Sequence, residues 1–97
     1  MAVMVLVEVQ AKPDRLAELQ EHMRGGLGDT RSYDGCTGLT TYINQDDDCN
    51  MVLVEAWESR AQYDKYLAWR QETGFLDKIT EMLASEPSIR FYDQSDL

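Results

Sequence analysis

The chain has 97 residues, of which 43% are hydrophobic, and its formal net charge is −9. This length predicts a single domain over residues 1–97, with an ordered core over about residues 2–93. The acidic balance and the lack of a Lys/Arg cluster exclude a nucleic-acid partner, and together with the lack of a long apolar run they exclude a membrane partner.

The two cysteines, Cys36 and Cys49, are too few for a disulfide framework and fall at opposite ends of a predicted hairpin. We therefore expect two reduced thiols in a cytoplasmic protein. The apolar residues 1–9 lack the basic region and the cleavage site of a signal peptide. A single His and two separated Cys also argue against a structural zinc site, so we expect no metal.

The first predicted strand covers residues 3–10, where four valines alternate with a second, mainly apolar set of side chains. A strand that is apolar on both faces needs cover on both sides. Pro13 suits the first turn of the helix that follows. The apolar stripe of this helix recurs at helical spacing and consists of Leu16, Leu19, Met23 and Leu27. Because three glycines lie at positions 25, 26 and 28, we expect the helix to fray or kink there.

Two further strands are predicted over residues 36–45 and 51–57, after a turn at Tyr33-Asp34-Gly35. The polar loop between them, residues 46–50, contains three successive Asp residues. It lacks the glycine and the terminal Glu of a calcium-binding loop, so we interpret it as a solvated loop. The third strand alternates apolar side chains on both faces, with the exception of Glu55.

The second half of the chain begins with Ser59 and Gln62, whose spacing predicts a capping box. The helix that follows presents Tyr63, Tyr66, Leu67 and Arg70 on one face. Gly74 interrupts it, a second apolar stripe runs over residues 75–83, and a last strand covers residues 89–92. The resulting order, βαββαβ, predicts an α+β, ferredoxin-like fold with an antiparallel sheet. Because helices cover only one face of such a sheet, we expect a homodimer that forms a dimeric α+β barrel.

Residues 52–60, Val-Leu-Val-Glu-Ala-Trp-Glu-Ser-Arg, resemble the antibiotic biosynthesis monooxygenase (ABM) family at its most recognisable stretch. Residues 34–38 resemble the Pro-Gly-Cys-x-Gly start of the family's second strand, and the pairs at 75–76, 86–87 and 91–92 match its end. The resemblance implies a cofactor-independent monooxygenase that oxidises a quinol-like or polyphenolic aromatic substrate with O2. Its partners would be a second copy of the chain and the small aromatic substrate, with no metal or flavin cofactor.

The resemblance also implies a site between the sheet and the helices. Family members that oxidise polyketide-type aromatics use a Trp at the end of the third strand and a Tyr six residues later, and Trp57 and Tyr63 match them. The Asn that these members carry four residues before the Trp is Leu53 here. Tyr66 and Gln71 stand at two helix positions where many family members have His.

The residues themselves add two candidates for a proton acceptor, His22 and Glu55. His22, the sole His, lies beside the apolar stripe of the first helix, and histidine is the residue type that most often acts as a proton acceptor at neutral pH. Glu8 and Glu55 are carboxylates inside apolar strands, which indicates either a functional site or a rim carboxylate paired with an Arg such as Arg90. The predicted catalytic residues are Trp57, Tyr63, Tyr66, His22 and Glu55. The predicted substrate-binding residues are Leu53, Tyr42, Leu19, Met23 and Phe75.

Each predicted role has an alternative. Trp57 and Tyr63 can be core aromatics, and His22 can be a flanking surface residue. A non-catalytic small-molecule-binding or interaction module on the same dimer stays open, as does an isomerase-like or aldehyde-handling member. The haem-degrading branch is disfavoured, because its Trp and later His positions are Tyr66 and Leu76 here and leave no axial ligand.

Overall fold

A computed structural model describes residues 2–97, so Met1 of the predicted domain lies outside the described residues. The strands are β1 (Val3–Gln10), β2 (Cys36–Ile43), β3 (Asn50–Trp57) and β4 (Ser88–Tyr92). The helices are α1 (Leu16–Arg31), which follows a short 3-10 turn at Pro13–Arg15, α2 (Arg60–Glu72) and α3 (Phe75–Glu81). In the described part of the chain, no helix has the length and apolar character to cross a bilayer.

The sheet confirms the predicted ferredoxin-like order. Its strands are arranged β2-β3-β1-β4 and every neighbouring pair is antiparallel. All three helices follow or precede central strands, so the crossovers place them on one face of the sheet. We call this the helix-covered face. It buries alternate residues of β1 and β3, namely Val3, Val5, Val9, Met51, Leu53, Glu55 and Trp57.

The opposite face, which we call the open face, carries the other alternating set. Leu6 of β1 pairs with Val54 of β3, and Tyr42 of β2 pairs with Val52. Val52 and Val54 are only partly buried in the described chain, and Tyr42 is 55% exposed. The sequence prediction that both faces are apolar is therefore correct, and the described chain covers only one of them.

The expectation that the first helix frays at its glycines is wrong, since α1 continues through all three of them to Arg31. Gly26 is buried, and a Cβ built on it would lie 2.3 Å from Cε1 of Phe75. The glycine is therefore the position where the ring of α3 packs directly on the backbone of α1. Tertiary packing of this kind outweighs the low helix propensity of glycine.

Gly26→Ala is expected to destabilise the fold by about 1–3 kcal/mol, because the added methyl group forces the Phe75 ring out of its packed position. Gly25→Ala and Gly28→Ala are matched controls in the same helix. Nothing lies within 4 Å of a Cβ at either position, so both should stabilise the helix by up to about 1 kcal/mol. Urea denaturation of the three variants measures the difference, and an equal effect at all three positions would contradict the packing role of Gly26.

The start of α2 has the N-cap half of the predicted capping box, and in the described residues the return bond from the Ser59 backbone N–H to the Gln62 side chain is not made. The Ser59 hydroxyl accepts a hydrogen bond from the backbone N–H of Gln62, and it donates one to Oε1 of the Gln62 side chain at 2.8 Å. This cap fixes the direction of α2 directly after β3. As a result, Tyr63 and Tyr66 lie over the strand residues that immediately precede the helix. The four candidates of residues 55–66 come together in this way: Glu55, Trp57, Tyr63 and Tyr66.

Candidate active site

A cavity of about 80 Å³ lies between the helix-covered face and the three helices. Strands β1, β3 and β4 form its floor, and Met23 and Leu27 of α1 form part of its roof. Most of the lining is aliphatic or aromatic, and the polar side chains that reach it are Glu55, Tyr63 and Tyr66. A small apolar cavity with a few converging polar groups has the character of a ligand or reaction site.

Glu55 is the carboxylate of this cavity and is 4% exposed. Its Oε1 accepts a hydrogen bond from Nε1 of Trp57 at 2.9 Å. Burial raises the pKa of Glu55, while the Trp57 hydrogen bond and the charge of Arg70 lower it in part. Oε2 of Glu55 has no hydrogen-bond partner within residues 2–97, and it keeps accessible surface. The free oxygen of a weakly acidic carboxyl group is therefore available to a ligand in the cavity.

Trp57 is fully buried and packs edge-on against Tyr63, with their ring centroids 5.4 Å apart. Its indole N–H is used by Glu55, so its role is to orient that carboxylate rather than to contact a substrate with its nitrogen. Trp57 does not line the cavity. The geometry thus gives the aromatic at the end of β3 a positioning role.

Tyr63 has the free hydroxyl of the site. The residue is 2% exposed and lines the cavity, and within residues 2–97 its hydroxyl has no hydrogen-bond partner. Burial raises the pKa of Tyr63, with a smaller contribution from the nearby Glu55 carboxylate. A neutral phenol with an unused O–H can donate a hydrogen bond to an oxygen atom of a ligand.

Tyr66 lines the cavity with its ring, but its hydroxyl is already engaged. It lies 2.7 Å from Oγ1 of Thr30 and accepts a hydrogen bond from Nε of Arg70 at 3.0 Å. Burial raises its pKa, and these two hydrogen bonds offset part of the increase. Thr30 and Arg70 are themselves buried, so the three residues form an internal network that joins α1 to α2. Tyr66 therefore has a structural use for its hydroxyl.

His22 does not reach the cavity. It stacks on Phe75 with ring centroids 4.6 Å apart, and it lines a different pocket on the outer side of that ring. Phe75 lines both the cavity and the outer pocket. Of the two predicted proton acceptors, the structure brings Glu55 into the cavity and leaves His22 outside it.

The other predicted binding residues divide between the two faces of the sheet. Leu53, Met23 and Phe75 line the cavity, and Leu19 is buried in the neighbouring core without lining it. Tyr42 lies on the open face and is not near the other candidates. Its position follows from the strand period, because Thr41 and Ile43 face the helices and Tyr42 must then face the other way.

Glu8 is the rim carboxylate that the sequence allowed as an alternative. Its Oε1 lies 3.6 Å from Nη2 of Arg90, and Asn50 donates a hydrogen bond to its Oε2. Asp47, Asp48 and Cys49 on the β2–β3 loop have potential metal-ligand atoms within 4.8 Å of one another. Hydrogen bonds to Gln10 and to the Cys49 backbone already engage Asp47, and nothing at this loop indicates a ligand.

Arg70 and Thr30 are functional candidates that sequence reasoning missed. Helical periodicity predicts only that Arg70 shares a helix face with the two tyrosines, and no sequence signal indicates Thr30. A cation in an otherwise apolar helical stripe is the one signal that pointed to Arg70. Its contacts with Thr30 and Gly26 span 40 residues or more of the chain and have no local sequence signature.

Comparisons with known proteins agree with this architecture. Residues 2–78 match the family model described as antibiotic biosynthesis monooxygenase. An uncharacterized protein from Synechocystis is 24% identical over 93% of this chain, which spans 61% of that relative's length.

Solved structures with the same fold share little sequence. A conserved protein from Methanosarcina mazei superposes with a TM-score of 0.89 at 19% identity, covering 98% of this chain and 94% of that one. A Mycobacterium tuberculosis protein gives a TM-score of 0.88 at 22% identity, covering 100% and 98%. A structure named antibiotic biosynthesis monooxygenase gives 0.87 at 20% identity, covering 96% and 98%. At these identities, the superpositions establish the fold.

Proposed function

Because the chain belongs to the antibiotic biosynthesis monooxygenase family, we propose that it is a cofactor-independent monooxygenase of a quinol-like or polyphenolic aromatic substrate. The observation that carries this proposal is the cavity itself. An apolar chamber with a buried carboxylate and an unused phenol hydroxyl offers a base and a hydrogen-bond donor to one bound ring. A purely apolar cavity would instead favour a binding module without chemistry.

Glu55 is the proposed base. The free Oε2 would take a proton from a phenolic O–H or from an activated ring CH2 group, and the Tyr63 hydroxyl would donate a hydrogen bond to the resulting oxyanion. The electron-rich anion then reduces O2 by one electron, and the two radicals combine to form a carbon-bound peroxide. Loss of the remaining C–H proton and cleavage of the O–O bond give C=O and water. For a CH2 substrate, the CH2 and O2 become a carbonyl and H2O. For a phenol, the O–H, the attacked ring C–H and O2 become the two carbonyls of a quinone and H2O. In both cases the proton on Glu55 returns to the departing hydroxide.

The raised pKa of Glu55 suits this role. A carboxyl group with an ordinary pKa is a weak base toward a phenol, and burial makes the carboxylate a stronger one. The apolar walls also favour an aromatic ring over water. Small-molecule sites usually occupy roughly 300–1,000 Å³, so the cavity of about 80 Å³ must widen when a bicyclic substrate binds. Phe75, which lines both this cavity and the outer pocket, is the residue whose movement would widen it.

We also propose that the active form is a homodimer assembled through the open face. Met4, Leu6, Val52 and Val54 make this face largely apolar and only partly buried, and Tyr42 and Tyr92 are 55% and 40% exposed. A contiguous apolar sheet face on a small chain favours a partner. We propose a second copy of the chain as this partner, because in a two-fold dimer the open face of each copy packs against the open face of the other.

Oxygen uptake with a panel of reduced naphthoquinones and anthrones tests the proposed activity. At least one substrate should give uptake well above the rate without protein, and Tyr63→Phe should lower kcat/KM about 100-fold, because it removes the unused hydroxyl of the cavity. Tyr66→Phe is the comparison. It leaves Arg70 and Thr30 without their shared partner, so its main effect should be a loss of about 1–3 kcal/mol of stability. Uptake at the background rate for every substrate, or unchanged kcat/KM in Tyr63→Phe, would reject the assignment.

A further inference from the structure

A second pocket of about 420 Å³ lies on the outer side of Phe75, between α1 and the α2–α3 junction. The proposed oxidation uses none of its polar residues. The pocket lining includes His22, Asp29, Trp69, Arg70 and Lys78. Arg70 and Lys78 carry cationic side chains and Asp29 a carboxylate, so the pocket is locally cationic on a chain whose formal net charge is −9.

Arg70 is the buried cation of this pocket and is 3% exposed. Its Nε donates to Tyr66, and its Nη2 donates to the carbonyl oxygen of Gly26 at 2.7 Å and to Oγ1 of Thr30 at 2.8 Å. All three acceptors are neutral, and no carboxylate in residues 2–97 lies within 4.0 Å of the guanidinium. Nη1 has no partner in the described chain, and it keeps accessible surface. The charges of Arg70 and the buried Glu55 attract each other at longer range, but Nη1 itself has no direct partner and marks a place where an anion can accept a hydrogen bond.

His22 supplies a second unused polar group. Its Nε2 is the one buried side-chain nitrogen or oxygen of residues 2–97 that lacks a hydrogen-bond partner. Such an atom calls for a ligand or a solvent molecule to satisfy it. Aromatic surfaces flank these groups: the Arg70 guanidinium lies 4.8 Å from the Trp69 ring centroid and 3.8 Å from that of Phe75. The pocket therefore combines cationic donors with flat apolar walls.

We propose that this pocket binds the carboxylate of an aromatic hydroxy acid, and that the substrate class of the enzyme is therefore an acidic phenol. The inference rests on the proposed function. The carboxylate would accept hydrogen bonds from Nη1 of Arg70, with Lys78 at the rim, while the ring passes Phe75 and brings its phenolic end to Glu55. The two buried charges orient the ligand, because Glu55 repels a carboxylate that Arg70 attracts.

A ligand pair that differs only in charge tests this proposal. 6-Hydroxy-2-naphthoate and 6-hydroxy-2-naphthamide share the ring and the phenol, and titration calorimetry gives the affinity of each. The acid should bind at least 10-fold more tightly than the amide, and its advantage should shrink at high salt. In ¹H–¹⁵N spectra, the Arg70 Nε–H resonance should shift with the acid and not with the amide.

Charge reversal at the rim gives a test that leaves the buried network intact. Lys78 is exposed, and its contact with Glu81 at 4.0 Å contributes little to stability. Lys78→Glu should weaken binding of the acid about fivefold and leave the amide unchanged. Lys65→Glu, an exposed position of α2 that does not line the pocket, is the matched control and should change neither affinity.

Equal affinity for acid and amide, equal losses in the two lysine variants, or binding of neither ligand would overturn the proposal. These outcomes are separate from failure of the proposed activity. Tight binding of the acid without oxygen uptake would reject the monooxygenase and keep the anion site. Oxygen uptake with no preference for the acid would keep the monooxygenase and reject the anion site.

Discussion

Glu55→Gln is expected to lower the rate of oxygen uptake by about 100-fold or more, the size of effect that a general base contributes. The amide fits the same space, and its oxygen still accepts the Trp57 hydrogen bond, so the cavity keeps its shape. It cannot take a proton from the substrate. In the wild-type protein, the rate should also fall as the pH decreases through the raised pKa of Glu55, because protonation removes the base. The residual rate of the variant should lack this acidic limb.

The same substitution is expected to raise the melting temperature at pH 7. Burial raises the pKa of Glu55 in the folded state. The contribution of Glu55 to the free energy of unfolding is therefore fully present below its pKa in the unfolded state, and it is lost as the pH rises through its pKa in the folded state. At pH 7 the wild-type protein has lost this contribution, whereas the Glu55→Gln variant, whose side chain is always neutral, has not. The advantage of the variant should disappear in acid, where Glu55 is protonated in both states.

Glu58→Gln is the matched control, since it removes the same charge from an exposed position outside the cavity. It should change neither the rate nor the pH dependence of stability to a comparable degree. If Glu55→Gln abolishes oxygen uptake and also lowers the melting temperature, the carboxylate supports the fold. If oxygen uptake is unchanged, Glu55 is not part of the mechanism.

Val54→Asp is expected to convert the proposed dimer to a monomer at micromolar concentration, with an increase in the dimer Kd of about 1,000-fold or more. Val54 lies in the middle of the open face, between Leu6 of β1 and Thr40 of β2. In a two-fold assembly through this face, the substitution places two carboxylates in the interface without partners. Burying unpaired charges costs several kcal/mol, which is enough to separate the subunits.

Sedimentation velocity measures this change directly. Ala68→Asp introduces the same charge at an exposed position of α2, away from the open face, and should remain dimeric. Circular dichroism of Val54→Asp should retain the helical and strand signals, because the side chain is not in the helix-covered core. A wild-type protein that sediments as a monomer, or a Val54→Asp variant that stays dimeric, would contradict assembly through this face.

The strands and helices were predictable because their signals are local. Alternation along β1 identified the two faces of the strand, and the Ser59–Gln62 spacing identified the start of α2. The prediction failed where a distant residue decided the outcome. Three glycines predicted that α1 frays or kinks, and the helix instead continues to Arg31 because Phe75 packs in the space that Gly26 leaves open.

In the candidate site, too, local signals were predictable and contacts with distant residues were not. Glu55, Tyr63 and Tyr66 were predicted together, and they meet because one strand, one cap and one helix place them on the same side within 12 residues of the chain. Helical spacing correctly set His22 beside the apolar stripe. It does not reveal that His22 stacks on the outer side of Phe75, because that ring belongs to another helix.

The sequence by itself determined the order of elements, the apolar character of both sheet faces and the family, since each depends on side-chain periodicity or on a contiguous motif. Only the tertiary structure decided how the buried charges are used. It places Glu55 in the lining of the cavity with one carboxylate oxygen free of hydrogen bonds, and it places Arg70 in the lining of the outer pocket with Nη1 free of hydrogen bonds. The physical reason is that the burial and hydrogen-bond partners of a charge are set by residues far along the chain, here Gly26 and Thr30 for Arg70, and local sequence carries no record of them.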